Sequence, residues 1–401
     1  MANNEDNIPK TKKPANTAFK QQRLKAWQPL LTPKTVLPTL FLVGIIFAPI
    51  GGLLLYGSST VSELVIDYTS CLDGTAGEFR SIPSSSFKHT FVLSGNSPGV
   101  NPRYKHEPYI PPPERNPAGI PVERCTIQFD LPVTLKAPVF LYYKLTNFYQ
   151  NHRRYVKSLD LNQLKGEALS AAALQKSCQP IDVSPEGLPY YPCGLIANSM
   201  FNDTYSDFNR TSGPVTGATY VFKQENIAWP SDRTRYGKTN YGPDNCRPPP
   251  NWASRYPGGK YTAETLFDVT RDEHFQVWIR TAPFPSFRKL YGRNDAEDMQ
   301  AGTYSVDIDF NYDVTKYGAT KSIVISTTNV LGGRNSFLGG IYLAVGLICV
   351  ILGVAFTVRH CIKPRKLGDH SLLTWNTTTT APVQFIDQKE RKSLFKRNRG
   401  D

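Results

Sequence analysis

The sequence has no HExxH, no CxxC pair and only six histidines, scattered at positions 89, 106, 152, 274, 360 and 370. Without clustered ligands at metal spacing, no metal site is expected. No internal repeat is visible, which argues against a solenoid or a propeller. The most informative absence is charge. Val36–Gly57 (VLPTLFLVGIIFAPIGGLLLYG) and Phe337–Val358 (FLGGIYLAVGLICVILGVAFTV) contain no charged residue. Each run would make a helix of roughly 33 Å, against a hydrocarbon core of about 30 Å. Uncharged runs of this length are rare in soluble domains, so both are read as transmembrane helices. Neither holds Asp, Glu, Lys, Arg or His, so neither reads as an ion or proton path.

The average composition conceals this, since mean hydropathy is −0.35 and 40% of residues are hydrophobic. A net charge of +13 invites a nucleic-acid reading, but its distribution argues otherwise. Residues 1–36 carry seven Lys/Arg against Glu5 and Asp6, and residues 359–401 carry ten against four acidic residues. The middle of the chain is almost neutral, so no nucleic-acid surface is expected. Basic flanks outside both spans place both termini in the cytosol and export residues 58–336. Trp27 would suit the membrane interface. A signal peptide is the alternative for the first span. Its apolar run is too long and starts too late, which favours a retained anchor.

Small residues recur on one face of each span: Gly44, Ala48 and Gly52 in the first, Gly339, Gly346 and Gly353 in the second. Such spacing makes a groove that lets a second helix approach closely. Pro49 should kink the first span, because it lacks an amide hydrogen.

The exported stretch reads as strand-rich. In Tyr304–Tyr312 apolar and polar residues alternate with a period of two, and His274–Arg280 and Phe129–Val139 look similar. Leu159–Lys176 has helical spacing, and residues 98–121 are so rich in proline that an extended surface segment is expected. The fold class is therefore a membrane protein with two transmembrane helices and a mainly antiparallel, sandwich-like β domain carrying a few short helices. Its parts are a basic tail (1–35), a span (36–57), a β-rich exoplasmic domain (58–336), a second span (337–358) and a second basic tail (359–401).

Seven cysteines divide by compartment: Cys349 lies in the second span and Cys361 just beyond it. The other five, at 71, 125, 178, 193 and 246, face an oxidising space, where at most two bridges form and one thiol remains. Asn202 and Asn209 open glycosylation sequons in the exported part, while the sequon at Asn376 would stay cytosolic and unmodified.

Catalytic patterns fail inspection. Gly95–Gly99 matches GxSxG, but Pro98 and Pro102 forbid the helix that must follow a nucleophile elbow. Gly237-Lys238-Thr239 resembles the end of a phosphate loop, but Asp232 stands where its first glycine is needed. Asp307 and Asp309 sit on the polar side of an alternating strand and are read as a solvated face. No catalytic residue and no cofactor is expected.

Four segments carry a resemblance: NTAFKQQRLKAWQPLLTPKTVLP (16–38), PCGLIANSMFNDT (192–204), DEHFQVWIRTAPFPSFRKLYG (272–292) and ISTTNVLGGRNSFLGG (325–340). They resemble the cell-division-cycle-fifty family, the accessory β-subunits of type-IV P-type ATPases that flip phospholipids. The likeness runs in order from Asn16 to His360. It implies an exoplasmic β domain seated on the catalytic α-subunit of a heterodimer, with both helices beside that subunit's membrane helices and phospholipids around them. It also implies export of the pump from the endoplasmic reticulum, support of its phosphorylation cycle, and residence along the Golgi, endosome and plasma-membrane route. The family pattern maps onto bridges Cys71–Cys125 and Cys178–Cys193, leaves Cys246 unassigned, and places Asn202 and Asn209 at glycosylation positions. No phosphorylatable DKTGT is present, so the chain is not the pump itself. Rival readings are a two-span receptor or adhesion ectodomain, a trimeric two-span channel, and an anchored hydrolase using Ser97.

Overall fold

Both uncharged runs become long helices, α1 (Pro33–Ser59) and, at the far end of the chain, a helix over Ser336–Ile362 numbered α8 below. The computed structural model describes residues 15–25, 31–91, 99–113, 116, 118–212, 217–329 and 332–364. Both helices are strongly apolar, yet little of either is buried. Leu42, Ile45 and Leu53 on one helix, and Leu347, Ile351 and Val354 on the other, are exposed. In water each would forgo about 1.5–3 kcal/mol of burial, whereas lipid accepts them at no such penalty. Each helix outruns its apolar core. Pro33 fits the first turn, where its missing N–H is not needed, and Arg359 and His360 suit the last turn's partial negative charge. Helix α1 continues unbroken through Pro38 and Pro49.

The chain divides into two compact units, residues 1–51 with 340–401, and residues 52–339. The second unit is a pair of antiparallel sheets. Its strands are β1 (Glu63–Asp67), β2 (Arg80–Ser81), β3 (Phe87–Thr90), β4 (Arg103–Tyr109), β5 (Val122–Leu131), β6 (Val139–Leu145), β7 (Thr204–Tyr205), β8 (Phe208–Arg210), β9 (Thr219–Tyr220), β10 (Phe287–Asn294), β11 (Gly302–Phe310) and β12 (Lys321–Thr327). One sheet runs β10-β6-β12-β1-β3; the other runs β2-β4-β5-β11-β8-β9, with β7 also beside β11. Leu64, Leu141, Tyr143 and Ile323 of the first share one apolar core with Ile127, Phe129, Val306 and Ile308 of the second. This is the sandwich arrangement. Among the described residues, six short α-helices decorate it: α2 (Arg153–Lys157), α3 (Leu161–Leu164), α4 (Ala171–Leu174), α5 (Gly194–Asn198), α6 (Pro230–Arg233) and α7 (Glu273–Ile279).

Four sequence expectations are corrected. His274–Arg280 is not a strand: most of it lies in α7, where Phe275, Gln276, Trp278 and Ile279 are buried at helical spacing. Asp272 starts that helix by accepting the Phe275 amide at 2.8 Å. Leu159–Lys176 is not one helix. Asp160 caps α3, and Gly166 then turns the chain with φ +108°, pressed against the Lys238 carbonyl so that no side chain fits. Phe129–Val139 is the end of β5, a connection through Leu135, and the start of β6. The proline-rich stretch contains β4. Its Pro108 lies opposite Glu123, beyond the two-residue reach of β2, so no partner there needs its amide.

Candidate functional site

The first candidate surface is the seam between the two long helices. An added Cβ at Gly346 would lie 3.0 Å from the Ala48 nitrogen, and one at Gly353 would lie 3.1 Å from the Phe41 ring. Gly44 faces Val350 so closely that a Cβ there would collide with it. The Phe47 and Tyr342 rings stand 5.1 Å apart. Contacts that descend one helix while climbing the other define an antiparallel pair, closed through small residues. Gly339, Gly346 and Gly353 are all buried, so the seven-residue stripe faces inward. Gly52 departs from expectation: it is exposed with nothing within 4 Å, and the neighbouring Gly51 is buried instead. Positions 44, 48 and 51 follow the 3.6-residue turn of a straight helix better than 44, 48 and 52.

Gly346→Leu is therefore expected to force the helices apart. Disulfide cross-linking between cysteines placed at Phe47 and Tyr342 should fall several-fold in that variant, while Gly52→Leu leaves it unchanged. Equal cross-linking in both variants contradicts the seam.

The second candidate lies at the sequon Asn202-Asp203-Thr204, which leads into β7. Asp203 and Lys321 form an ion pair at 2.6 Å with both side chains wholly buried. The Lys321 ammonium also donates to the Tyr312 carbonyl at 2.6 Å and sits 3.2 Å from the centre of the Phe310 ring. Asp203 Oδ1 accepts the amides of Asn311 and Tyr312, while Oδ2 accepts the Tyr68 hydroxyl at 2.9 Å. Every lone pair of the carboxylate thus has a donor, the condition for keeping a charge inside a core. Burial lowers the Lys321 pKa, opposed by the Asp203 charge, and burial raises that of Tyr68 well above its ordinary value. Nothing local in the sequence marks this pair, since a lysine at the head of an apolar strand normally reaches solvent.

Asp309 is a further correction. It is buried, accepting Thr204 Oγ1 at 2.7 Å and Arg124 Nη2 at 3.1 Å, rather than lying on a solvated face. Arg124 is its register partner on β5, so the charge is matched across the ladder. Asp307, half-buried, accepts the Thr126 hydroxyl at 2.7 Å. These carboxylates hold strands together.

Asn202 is half-buried at the edge of a crevice of about 170 Å³ shared with Asn251, Ser254 and Asn311. Asn209 is exposed on β8, where its side-chain oxygen accepts from Thr219 at 3.1 Å. Disulfides join Cys71 to Cys125 and Cys178 to Cys193. The first runs from just past β1 in one sheet to β5 in the other, so it staples the sandwich. Cys246 is a free thiol buried among Tyr191, Tyr241 and Tyr261, and burial pushes its pKa up to about 12. A thiol held that far from its thiolate is a poor nucleophile.

Residues 95–98 of the GxSxG match lie outside the described residues, as do Trp27, Asn376 and most of both basic tails. At the other motif the Gly237 amide donates to the Leu164 carbonyl, and a Cβ there would run into the Lys165 backbone. That glycine permits a close approach of two chain segments and cradles no phosphate.

Residues 54–366 match the model of the LEM3 (ligand-effect modulator 3) family / CDC50 family. The chain is 41% identical over 375 residues to the phospholipid-transporting ATPase accessory subunit CRF1 of Saccharomyces cerevisiae, covering 93% of this chain and 92% of that one. It is 40% identical over 374 residues to the phospholipid-transporting ATPase accessory subunit CDC50 of Chaetomium thermophilum, with 91% of each covered. Cell cycle control protein 50A of Bos taurus is 39% identical over 362 residues, spanning 87% of this chain and 89% of the relative.

Proposed function

The chain belongs to the LEM3/CDC50 family of membrane proteins, and on that premise we propose that it is the non-catalytic accessory subunit of a type-IV P-type ATPase that moves phospholipid to the cytosolic leaflet. The observation that carries the reading is 41% identity, sustained over 93% of the chain, to a protein named as such a subunit. The helix pair supports it. Its seam is closed by glycine, its outward faces are apolar, and it offers no polar path for a lipid headgroup. Pumping then belongs to a partner, and the pair's role is contact.

In this reading both termini are cytosolic and residues 58–336 are exoplasmic. Basic residues flank the outer end of each span, as cytosolic ends require. Both disulfides fall within 58–336, in keeping with an oxidising compartment. Asn202 and Asn209 are the glycan acceptors there. The β domain and the helices act on the pump as a chaperone and a clamp. A partner that binds only the folded pump stabilises it by about 2.7 kcal/mol at a hundred times its Kd, and one that prefers some conformers shifts the cycle toward them.

Deleting the chain should leave its catalytic subunit in the endoplasmic reticulum and abolish flipping of fluorescent phospholipid at the destination membrane. Normal delivery and flipping without the chain contradict the reading.

A further inference from the structure

Where α1 begins and α8 ends, the membrane unit contains a groove of about 380 Å³. Val36, Leu37 and Phe356 form its apolar wall, and Arg359, His360 and Lys363 form its rim. Among the described residues, no carboxylate lines it. The uncharged run of α8 ends at Val358, immediately before Arg359, and the uncharged run of α1 opens at Val36. Because the helices are antiparallel, the two apolar edges meet at one level and the cations lie just beyond it. That is the order in which a phospholipid presents itself, acyl chain inward and phosphate outward.

We propose that this groove seats one anionic phospholipid, its phosphate among Arg359, His360 and Lys363 and one acyl chain along Val36, Leu37 and Phe356. An arginine fork and a lysine point charge suit phosphate oxygens. Basic pockets between membrane helices on the cytosolic side are the expected sites for such headgroups, each cation contributing about 1 kcal/mol near the surface. The apolar wall adds little affinity, since the bilayer is equally apolar; it fixes where the lipid sits. Selectivity comes from the headgroup charge. The assignment to the cytosolic leaflet rests on the topology proposed above. A simpler role for Arg359 and His360 is to offset the partial negative charge at the end of α8, but that role needs no groove.

The test uses the full chain, purified by itself in mild detergent, with native mass spectrometry of adducts to dioleoyl phosphatidylserine and dioleoyl phosphatidylcholine. The wild-type chain should retain phosphatidylserine preferentially. The double variant Arg359→Ala/Lys363→Ala should reduce that preference roughly 25-fold, the factor for two surface cations. Val36→Trp, which fills the groove without touching a charge, should also remove it, with the Phe47–Tyr342 cross-link reporting an intact helix pair. Lys20→Ala/Arg23→Ala removes equal charge from exposed positions outside the groove and should change nothing.

Preference that survives Arg359→Ala/Lys363→Ala or Val36→Trp overturns the proposal, as does an equal loss in Lys20→Ala/Arg23→Ala. If the groove variants keep their lipid but cease to co-purify with an ATPase, a partner helix occupies the groove and only this inference fails. If wild-type chain selects phosphatidylserine through the groove yet never retains an ATPase, the inference stands and the accessory-subunit reading falls.

Discussion

Lys321→Met is expected to destabilise the β unit by about 3–5 kcal/mol, because it leaves the Asp203 carboxylate charged in a site with no access to water. Since whole domains are stable by only about 5–15 kcal/mol, the loss should appear as a fall in Tm on the order of 10 °C and as poor export. Geometry also predicts how to repair it. Asp203 Oδ1 serves two backbone amides, and Oδ2 serves Lys321 and the Tyr68 hydroxyl. Asp203→Asn keeps the first oxygen but turns an NH2 toward the ammonium, a donor facing a donor. It should destabilise as well, while leaving the sequon at Asn202 intact. In the double variant Asp203→Asn/Lys321→Met the NH2 faces the Tyr68 hydroxyl, whose oxygen can accept while its proton goes to Tyr205, and no charge remains. More than half of the lost stability should return. A double variant as unstable as the sum of the single ones contradicts a direct pair. Because the sequon survives in all three, glycan occupancy should follow folding and not sequence.

The disulfides come next in size. Cys71–Cys125 closes a separation of 54 residues and Cys178–Cys193 one of 15. Loop entropy alone assigns about 4 and about 3 kcal/mol to them. Cys71–Cys125 joins the turn just past β1 of one sheet to β5 of the other. Cys178–Cys193 holds a loop whose backbone is also tied by Ser158 and Gln163 side chains. Replacing either pair with serine should lower Tm by several degrees and impair assembly with the pump. Cys246→Ala removes a thiol with one weak contact, to the Gly242 carbonyl at 3.5 Å, and should destabilise by about 1 kcal/mol. Comparable damage from Cys246→Ala and from the loss of Cys178–Cys193 would show that chain crosslinking is not what matters there.

Much of this architecture was legible because its signals are local and long. An uncharged run longer than a bilayer is thick has few alternatives, and a strict alternation such as Tyr304–Phe310 specifies a half-buried strand. The misread segments are those where two periods fit the same letters. In HFQVWIR, strand alternation collects Phe275, Val277 and Ile279, and a one-sided helix collects Phe275, Trp278 and Ile279. The signal that separates them is Asp272 as an N-cap with Glu273 in the first turn. Buried charge was invisible for a different reason. Asp309 needs Arg124, which only the sheet register sets opposite it, and Asp203 needs Lys321, 118 residues away in the other sheet, which only the packing of the two sheets brings near. A single step separated the exposed Gly52 from the buried Gly51, because small-residue spacing does not fix the rotation of a helix about its axis.

The account depends most on a partner that carries out the pumping. The direct measurement is to isolate the tagged full chain from its native membrane in mild detergent and identify what accompanies it by mass spectrometry. The account predicts a near-stoichiometric P-type ATPase bearing the phosphorylatable DKTGT sequence, retained by wild-type chain and lost with Gly346→Leu. Chain that elutes alone, or with itself only, while still folded and glycosylated, would contradict it.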